Sequence, residues 1–287
     1  MKSNLKRISN QIVKGKHNKD ILFDVVYKQN GIAKPIIFFA HGFKGFKDWG
    51  HFNVVANEFA MANYVFVKFN FSHNGTDHNN LTEFVDLAAF GNNNFSIELD
   101  DLGTVMDYLL GGNAAIELAE FNNSNVNLIG HSRGGGITIL KAAEDARVSK
   151  IITWASVNEF GRYWDTETFA KWEKDGVHYV KNGRTGQQMP LYWQLYENYF
   201  ANQSRLHIPT AVKNLSIPFL AIHGDDDGAV PHSLAIEMAG WNNNIQLEIL
   251  ENANHVFGGK HPWEEENLPN DMQKVVDLTL SFLQQAT

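Results

Sequence analysis

The stretch "NLIGHSRGGGITIL", residues 127 to 140, changes abruptly from one apolar pattern to another. The apolar residues up to Ile129 favour a buried strand, and the residues after Gly134 have helical spacing. The residues between them must therefore form a very tight turn, which glycines allow because they carry no Cβ. A serine at the apex of such a turn is exposed at the edge of a sheet. This costly placement indicates that the hydroxyl of Ser132 has a chemical role.

Short strand-like runs alternate with longer helical patterns along the rest of the chain. Runs such as "PIIFFAH" (35–41) are continuously apolar, as buried parallel strands are. The alternation predicts an α/β protein with a mostly parallel, twisted sheet of about eight strands and helices on both faces. We predict strands at 7–13, 21–27, 35–41, 64–70, 125–131, 150–156, 217–224 and 245–250. We predict the main helices at 51–63, 95–111, 133–146 and 271–285.

One segment, 157–212, breaks this alternation. It is dense in aromatic residues, and it contains "HYVKNGRTGQQM" (178–189), whose Asn-Gly and Thr-Gly turn signals are consistent with a β-hairpin. We interpret it as a cap inserted into a core formed by 1–156 and 213–287. The aromatic side chains either fill the cap's own interior or line a substrate pocket, and the sequence leaves both interpretations open.

The composition of the 287 residues excludes several partners and chemistries. The formal net charge of -8 argues against nucleic acid as the main partner. There is no cysteine, so disulfides, thiol catalysis and zinc-thiolate sites are excluded. The first residues contain no apolar signal-peptide core of about 7–15 residues, and no apolar run approaches the ~20 residues that span a bilayer. We expect a cytoplasmic protein without a membrane span; its oligomeric state, a homodimer included, is left open.

Ser132 is the predicted nucleophile. A serine hydroxyl needs a base within hydrogen-bond reach, an acid that orients the base, and donors for the developing oxyanion. Gly-x-Ser-x-Gly between a predicted strand and a predicted helix is the nucleophile elbow. A glycine-rich strand–helix turn without a catalytic role is the plainer alternative. A phosphate-binding loop is a weaker one, because no Gly-Lys-Ser/Thr follows.

The candidate acid lies in "AIHGDDDGAVP" (221–231), where three aspartates follow a predicted strand. This segment resembles the motif His-Gly-x-x-Asp-x-x-Val-Pro, which is frequent in the α/β-hydrolase family. The match selects Asp227 as the acid of a catalytic triad. We expect Asp225 and Asp226 to cap the loop or to be solvated charges.

The candidate base is His255, in "LENANHVFGG" (250–259), just after the last predicted strand. His261 is the second candidate, and we expect it to be a loop-packing residue instead. The order Ser132, Asp227, His255 is the Ser–Asp–His order of the α/β-hydrolase fold. The resemblance therefore implies that fold and a serine-based triad.

The same resemblance implies an oxyanion hole made of two backbone N–H groups. One belongs to Arg133, directly after the nucleophile, and the other to Phe43, because His41-Gly42-Phe43 stands where the fold has its His-Gly-x motif. Glutamine is frequent at the position of Arg133 in esterases of this kind. The arginine side chain either attracts an anionic group of the substrate or pairs with a nearby carboxylate, and the second interpretation is our default.

The resemblance covers nearly the whole chain. "HGFKGFKDWGHFN" (41–53) and "KFNFSHNGTD" (68–77) resemble loops of a bacterial branch of α/β-hydrolases that is similar to cinnamoyl and feruloyl esterases and, more distantly, to lysophospholipase-like esterases. This implies a serine hydrolase that cleaves small or aromatic acyl esters through an acyl-enzyme. Its partner would be a small-molecule ester, and its chemistry would need neither a metal nor an organic cofactor.

Two other functions stay open at this point. An amide hydrolase similar to serine aminopeptidases or acyl-peptidases needs an acidic group that holds the substrate's α-amine. Glu159, Asp165 and Glu167 of the cap are the candidates for that group, although we expect them to be solvated. A non-catalytic ligand-binding protein of the same fold often lacks a triad member, whereas all three members are present here.

Overall fold

A computed structural model of the protein describes residues 4–113, 118–161 and 165–285. The strands found in these residues are β1 Leu5–Lys14, β2 Asp20–Lys28, β3 Lys34–Ala40, β4 Val65–Phe69, β5 Phe121–His131, β6 Val148–Trp154, β7 Val177–Lys181, β8 Gln188–Tyr192, β9 Phe219–Gly224 and β10 Ile245–Leu250. The α-helices are α1 Phe52–Met61, α2 Leu87–Gly91, α3 Phe95–Leu110, α4 Arg133–Glu144, α5 Thr166–Asp175, α6 Gln194–Ala201, α7 Gln203–Leu206, α8 Ile208–Asn214, α9 Ser233–Ala239 and α10 Asn270–Gln284.

The main sheet of the described residues has eight strands in the order β1-β2-β4-β3-β5-β6-β9-β10. β1 and β2, the first two predicted strands, form an antiparallel hairpin, and β2 pairs antiparallel with β4. All the remaining pairs are parallel. The predicted fold class, a mostly parallel sheet of about eight strands between helices, is therefore confirmed. The prediction for β5 was too short, because the strand extends back through polar residues to Phe121, which pairs with Lys34.

Both faces of the sheet are buried under helices. In β3, Ile36 and Phe38 belong to one apolar cluster, whereas Ile37 and Phe39 belong to the cluster on the opposite face. Successive side chains of a strand point to opposite faces, so a strand that is covered on both sides must be apolar throughout. Helices α3, α4 and α8 cover the first face, and α1 and α10 cover the second.

The predicted cap, residues 157–212, contains α5, α6, α7, most of α8 and the predicted hairpin, β7–β8. Residues 162–164 of the cap lie outside the described residues. Polar and aromatic contacts hold the cap against the core: Gln194 Nε2 donates to the carbonyl of Asn93 at 2.9 Å, and the rings of Phe95 and Phe160 stack at 3.9 Å. The division into core and cap as separate units stays a prediction.

No helix in the described part of the chain is long and apolar enough to cross a membrane.

The turn between β5 and α4 is as tight as the sequence predicts. A Cβ at Gly130 would lie 2.3 Å from the carbonyl oxygen of Gly134, and a Cβ at Gly134 would lie 2.3 Å from that of Ala40. Only glycine fits such distances, so the start of α4 packs directly against β5 and β3. Between the glycines, Ser132 has φ 56° and ψ -121°, a conformation that costs a non-glycine residue on the order of 1–3 kcal/mol.

We predict that Gly130→Ala destabilises the protein by about 2–3 kcal/mol, because rigid backbone must move to admit the methyl group. Gly183→Ala is the matched control, since no atom lies within 4 Å of a Cβ placed at Gly183. Urea unfolding of the two variants and the wild type measures the difference. Equal stabilities of the two variants would contradict the close packing of the turn.

Candidate active site

The carboxyl ends of the parallel strands bring three loops together around Ser132. Its backbone N–H donates to the carbonyl of Trp154 at 2.9 Å, which attaches the elbow to the end of β6. The loop after β3 passes so close that a Cβ at Gly42 would lie 2.9 Å from Ser132 Cβ. His255, from the loop after β10, lines the same cavities as Ser132.

Asp227 and His255 are hydrogen-bonded to each other. His255 Nδ1 lies 2.7 Å from Asp227 Oδ2, and the other carboxylate oxygen accepts the backbone N–H groups of Ala229 and Val230, both at 2.8 Å. Burial by itself would raise the pKa of Asp227, but the hydrogen bonds from His223 and His255 outweigh it and hold the pKa well below its usual range. Asp227 is therefore an anion that can orient the ring of His255.

The two neighbouring aspartates are placed differently. Asp225 and Asp226 are exposed, whereas Asp227 is buried. Asp225 accepts the backbone N–H of Asn252 at 2.6 Å and so joins the loops after β9 and β10. This placement agrees with the capping or solvated roles expected for both residues.

Two further histidines contact the Asp227–His255 pair, one at the carboxylate of Asp227 and one at the backbone of His255. The fully buried His223 places Nε2 3.1 Å from Asp227 Oδ2 and 2.9 Å from the carbonyl of Val230. His131 Nε2 lies 2.9 Å from the carbonyl oxygen of His255. Burial lowers the pKa of His131 to about 3, so the ring is neutral and donates through Nε2. The contact of His223 with Asp227 was missed from the sequence, although the motif contains this histidine four residues before the aspartate.

The two backbone N–H groups predicted for the oxyanion hole have no hydrogen-bond acceptor among the described residues. Arg133 is the first residue of α4, where an N–H has no partner within the helix and the helix dipole favours negative charge. Phe43 lies in the loop after β3 and lines the cavities that Ser132 lines. Both N–H groups can therefore serve an oxygen that develops charge beside Ser132.

The side chain of Arg133 pairs with a carboxylate, as our default interpretation expects. Its Nη1 donates to Glu98 Oε1 at 3.3 Å, and its guanidinium lies 4.0 Å from the ring centroid of Phe43 and 5.2 Å from that of Phe95. Burial raises the pKa of Glu98, and Arg133 acts in the opposite direction. The arginine is thus held between two rings and is already paired with an acidic group.

Two cavities meet at Ser132 and His255. The larger cavity has a volume of about 520 Å³ and the smaller cavity one of about 260 Å³, and both are also lined by Phe43 and Lys44. In the larger cavity, much of the wall comes from the cap. These cap residues are mostly apolar and include Val157, Phe160, Trp172, Val180, Leu191 and Leu195. The cap therefore lines the pocket, a question that the sequence left open.

The remaining candidates from the sequence lie in different places. His261 packs against the loop after β3, where its Nδ1 accepts the N–H of Gly50 at 2.9 Å and its ring lies 5.0 Å from that of Phe46. Glu159 lines the larger cavity. Asp165 instead caps α5 by accepting the N–H groups of Glu167 and Thr168. Among the described residues, no group of three or more acidic or histidine side chains could hold a metal ion.

A cluster of four charges, of which Asp48 is half-buried and the other three are buried, holds the loop after β3. Lys47 Nζ lies 2.8 Å from Asp24 and 2.6 Å from Asp48, and Lys68 Nζ lies 2.5 Å from each of the same two carboxylates. The backbone N–H of Lys47 also donates to Asn70 Oδ1 at 2.6 Å. This cluster was missed from the sequence. The available signal is a charge inside each of two otherwise apolar strands, Asp24 in β2 and Lys68 in β4.

The chain has the α/β-hydrolase fold, and solved structures of low sequence identity share it. No protein-family model matches the sequence, and no curated protein does. Est1E from Butyrivibrio proteoclasticus with ferulic acid bound is similar, with a TM-score of 0.70 and 17% identity over 95% of this chain and 97% of that chain. The alpha/beta hydrolase domain-containing protein 10 from mouse is also similar, with a TM-score of 0.69 and 14% identity. The match covers 96% of this chain and 98% of the mouse chain. The esterase domain of a Rhodothermus marinus protein has a TM-score of 0.63 at 15% identity over 97% of both chains.

We predict that Asp24→Asn lowers the free energy of unfolding by about 3–5 kcal/mol, because it leaves two buried ammonium groups with one carboxylate fewer. Asp20→Asn on the same hairpin is the matched control, since Asp20 and its partner Lys14 are 39% and 85% exposed and such a pair contributes about 0–1 kcal/mol. Chemical denaturation measures both losses. A loss below about 1 kcal/mol for Asp24→Asn would contradict the structural importance of the cluster.

Proposed function

We propose that the protein is a serine hydrolase that cleaves carboxylic esters with small or aromatic acyl groups through an acyl-enzyme. The observation that carries the proposal is the 2.7 Å hydrogen bond between Asp227 and His255, a histidine that lines both of the cavities that meet at Ser132. Acyl transfer needs a serine nucleophile, a histidine base and an anion that orients the histidine. Ser132 at the strained elbow, His255 and the buried Asp227 can supply these three groups.

In this mechanism His255 is the general base. Its Nδ1–H donates to Asp227, which leaves Nε2 as the acceptor for the proton of Ser132 Oγ as the oxygen attacks the ester carbonyl. The backbone N–H groups of Phe43 and Arg133 stabilise the oxyanion. His255 then gives its proton to the departing alcohol, and water cleaves the acyl-enzyme by the same route. Protein groups supply every step, so the proposed reaction needs no metal or organic cofactor.

The walls of the larger cavity support an apolar acyl group. Phe95, Phe160 and Trp172 line it, and ring contacts of this kind hold a flat aromatic or an alkyl chain by burial of apolar surface. The similar structure of Est1E contains ferulic acid, which is an aromatic acid. We accordingly propose that the acyl part of the substrate occupies the larger cavity.

One observation favours a second candidate, an amide hydrolase. Glu159 lines the larger cavity, and a carboxylate there could hold the α-amine of an aminoacyl substrate. Asp165, which caps α5, gives no such support. The two candidates differ in the bond cleaved, so the same set of substrates separates them.

We predict that the wild type hydrolyses short-chain or aromatic esters and that Ser132→Ala lowers kcat/KM by at least about 10³-fold, as loss of a nucleophile does. The measurement is kcat/KM on p-nitrophenyl esters of short and long acids, methyl ferulate and aminoacyl anilides. Circular dichroism of the folded variant is the control. Activity on anilides alone would favour the amide hydrolase, and ligand binding without serine-dependent turnover would favour a non-catalytic protein.

A second prediction concerns the acid. Asp227→Asn should lower kcat by roughly 10²–10⁴-fold, because the amide no longer stabilises the imidazolium or the required tautomer of His255. Asp226→Asn should change kcat by less than about twofold, since Asp226 is exposed. The pair is matched in chemistry and adjacent in sequence. A larger loss of kcat in Asp226→Asn than in Asp227→Asn would identify Asp226 as the acid instead.

A further inference from the structure

The smaller cavity contains two cationic side chains, Lys44 and Arg184. No aspartate or glutamate is among the described residues that line it. The larger cavity shares Lys44, but its lining also includes the carboxylate of Glu159 and the guanidinium of Arg133, which pairs with Glu98. Arg184 lines the smaller cavity and not the larger one, so the excess of positive charge beside Ser132 lies on the side of the smaller cavity.

Lys44 is the less compensated of the two cations. Its ammonium donates to the backbone carbonyl of Lys181 at 3.1 Å, and no carboxylate of the described residues pairs with it. Burial is the main cause that lowers its pKa, and the charge of Arg133 lowers it further. An ammonium in this setting lacks an anion, and a bound carboxylate would supply one.

Arg184 adds a second, partly neutralised charge on the same side. It donates to Glu83 at 3.0 Å and to the carbonyl of Thr82 at 2.8 Å. Glu83 is 55% exposed, so solvent weakens this pair and the guanidinium still contributes positive potential to the cavity. Arg184 lies in the β7–β8 turn and Lys44 in the loop after β3, so two separate loops direct cations to one cavity.

An ester bound at Ser132 must extend to both sides of its scissile bond, with the acyl part in one cavity and the alcohol part in the other. The larger cavity suits an apolar acyl group because much of its wall is apolar, and only the smaller cavity is also lined by Arg184. We propose that the substrate is an ester whose alcohol part carries a carboxylate, and that Lys44 binds this carboxylate in the smaller cavity. The inference rests on the proposed esterase function and specifies its substrate class.

The test compares substrates of equal size that differ in charge. 4-Acetoxybenzoate and 4-acetoxybenzamide differ on the alcohol side, and monomethyl terephthalate and methyl 4-carbamoylbenzoate differ on the acyl side. kcat/KM is measured for each and divided by the rate of uncatalysed hydrolysis, so that the leaving groups' intrinsic reactivities cancel. The enzymes are the wild type, Lys44→Gln and Lys44→Arg, with Lys174→Gln, an exposed lysine of α5, as the charge-matched control.

We expect the wild type to prefer 4-acetoxybenzoate over its amide by roughly 10–100-fold, which corresponds to one charge-assisted hydrogen bond. Lys44→Gln should abolish this ratio, mainly through KM, whereas Lys44→Arg and Lys174→Gln should retain it. The preference should fall at high salt, because the ion pair is partly solvated.

A ratio near one in the wild type, an unchanged ratio in Lys44→Gln, or a preference for the anion on the acyl side would overturn this inference while p-nitrophenyl esters are still cleaved. Absence of serine-dependent turnover of every ester, p-nitrophenyl esters included, would overturn the esterase proposal and this inference with it. The two failures are therefore distinguishable in one set of assays.

Discussion

The direct contact of backbone with backbone at the start of α4 is the constraint on which the site depends. Because Gly130 and Gly134 have no Cβ, the first turn of α4 lies against the ends of β5 and β3. This contact forces Ser132 into a strained conformation at the apex. It also brings the free N–H of Arg133 to the same point as the loop that contains Phe43. A larger residue at either glycine would separate these groups.

The strain at the elbow, on the order of 1–3 kcal/mol, persists because the surrounding loops are fixed by buried polar contacts. The four-charge cluster of Asp24, Lys47, Asp48 and Lys68 holds the loop after β3. His223 holds the carboxylate of Asp227 from the buried side. Contacts of this kind contribute less to stability than apolar burial does, but they determine where a few atoms lie, and acyl transfer depends on such positions.

The two cavities that meet at the site differ in their lining. One is largely apolar and is walled by the cap, and the other is cationic and is walled by the loop after β3 and the β7–β8 turn. Ser132 and His255 lie where the cavities meet, so a bound ester would place its two halves in different electrostatic surroundings. In the proposed reaction the chemistry depends on the elbow and the Asp227–His255 pair, whereas the choice of substrate depends on the loops and the cap that line the two cavities.

By itself the sequence determined the eight strands of the main sheet, apart from the start of β5, and the helices α1, α3, α4 and α10, because strands buried on both faces must be continuously apolar and a turn of this tightness requires glycine. It also predicted the order Ser132, Asp227, His255 from motifs, and the Asn-Gly signal of the β7–β8 hairpin. Contacts between distant residues were decided only by the tertiary structure. Asp24 and Lys68 meet because β2 pairs with β4 in a register that sets them opposite each other. Arg133 meets Glu98, and Lys44 has no carboxylate partner among the described residues, because the partner of a charge depends on which elements fold next to it.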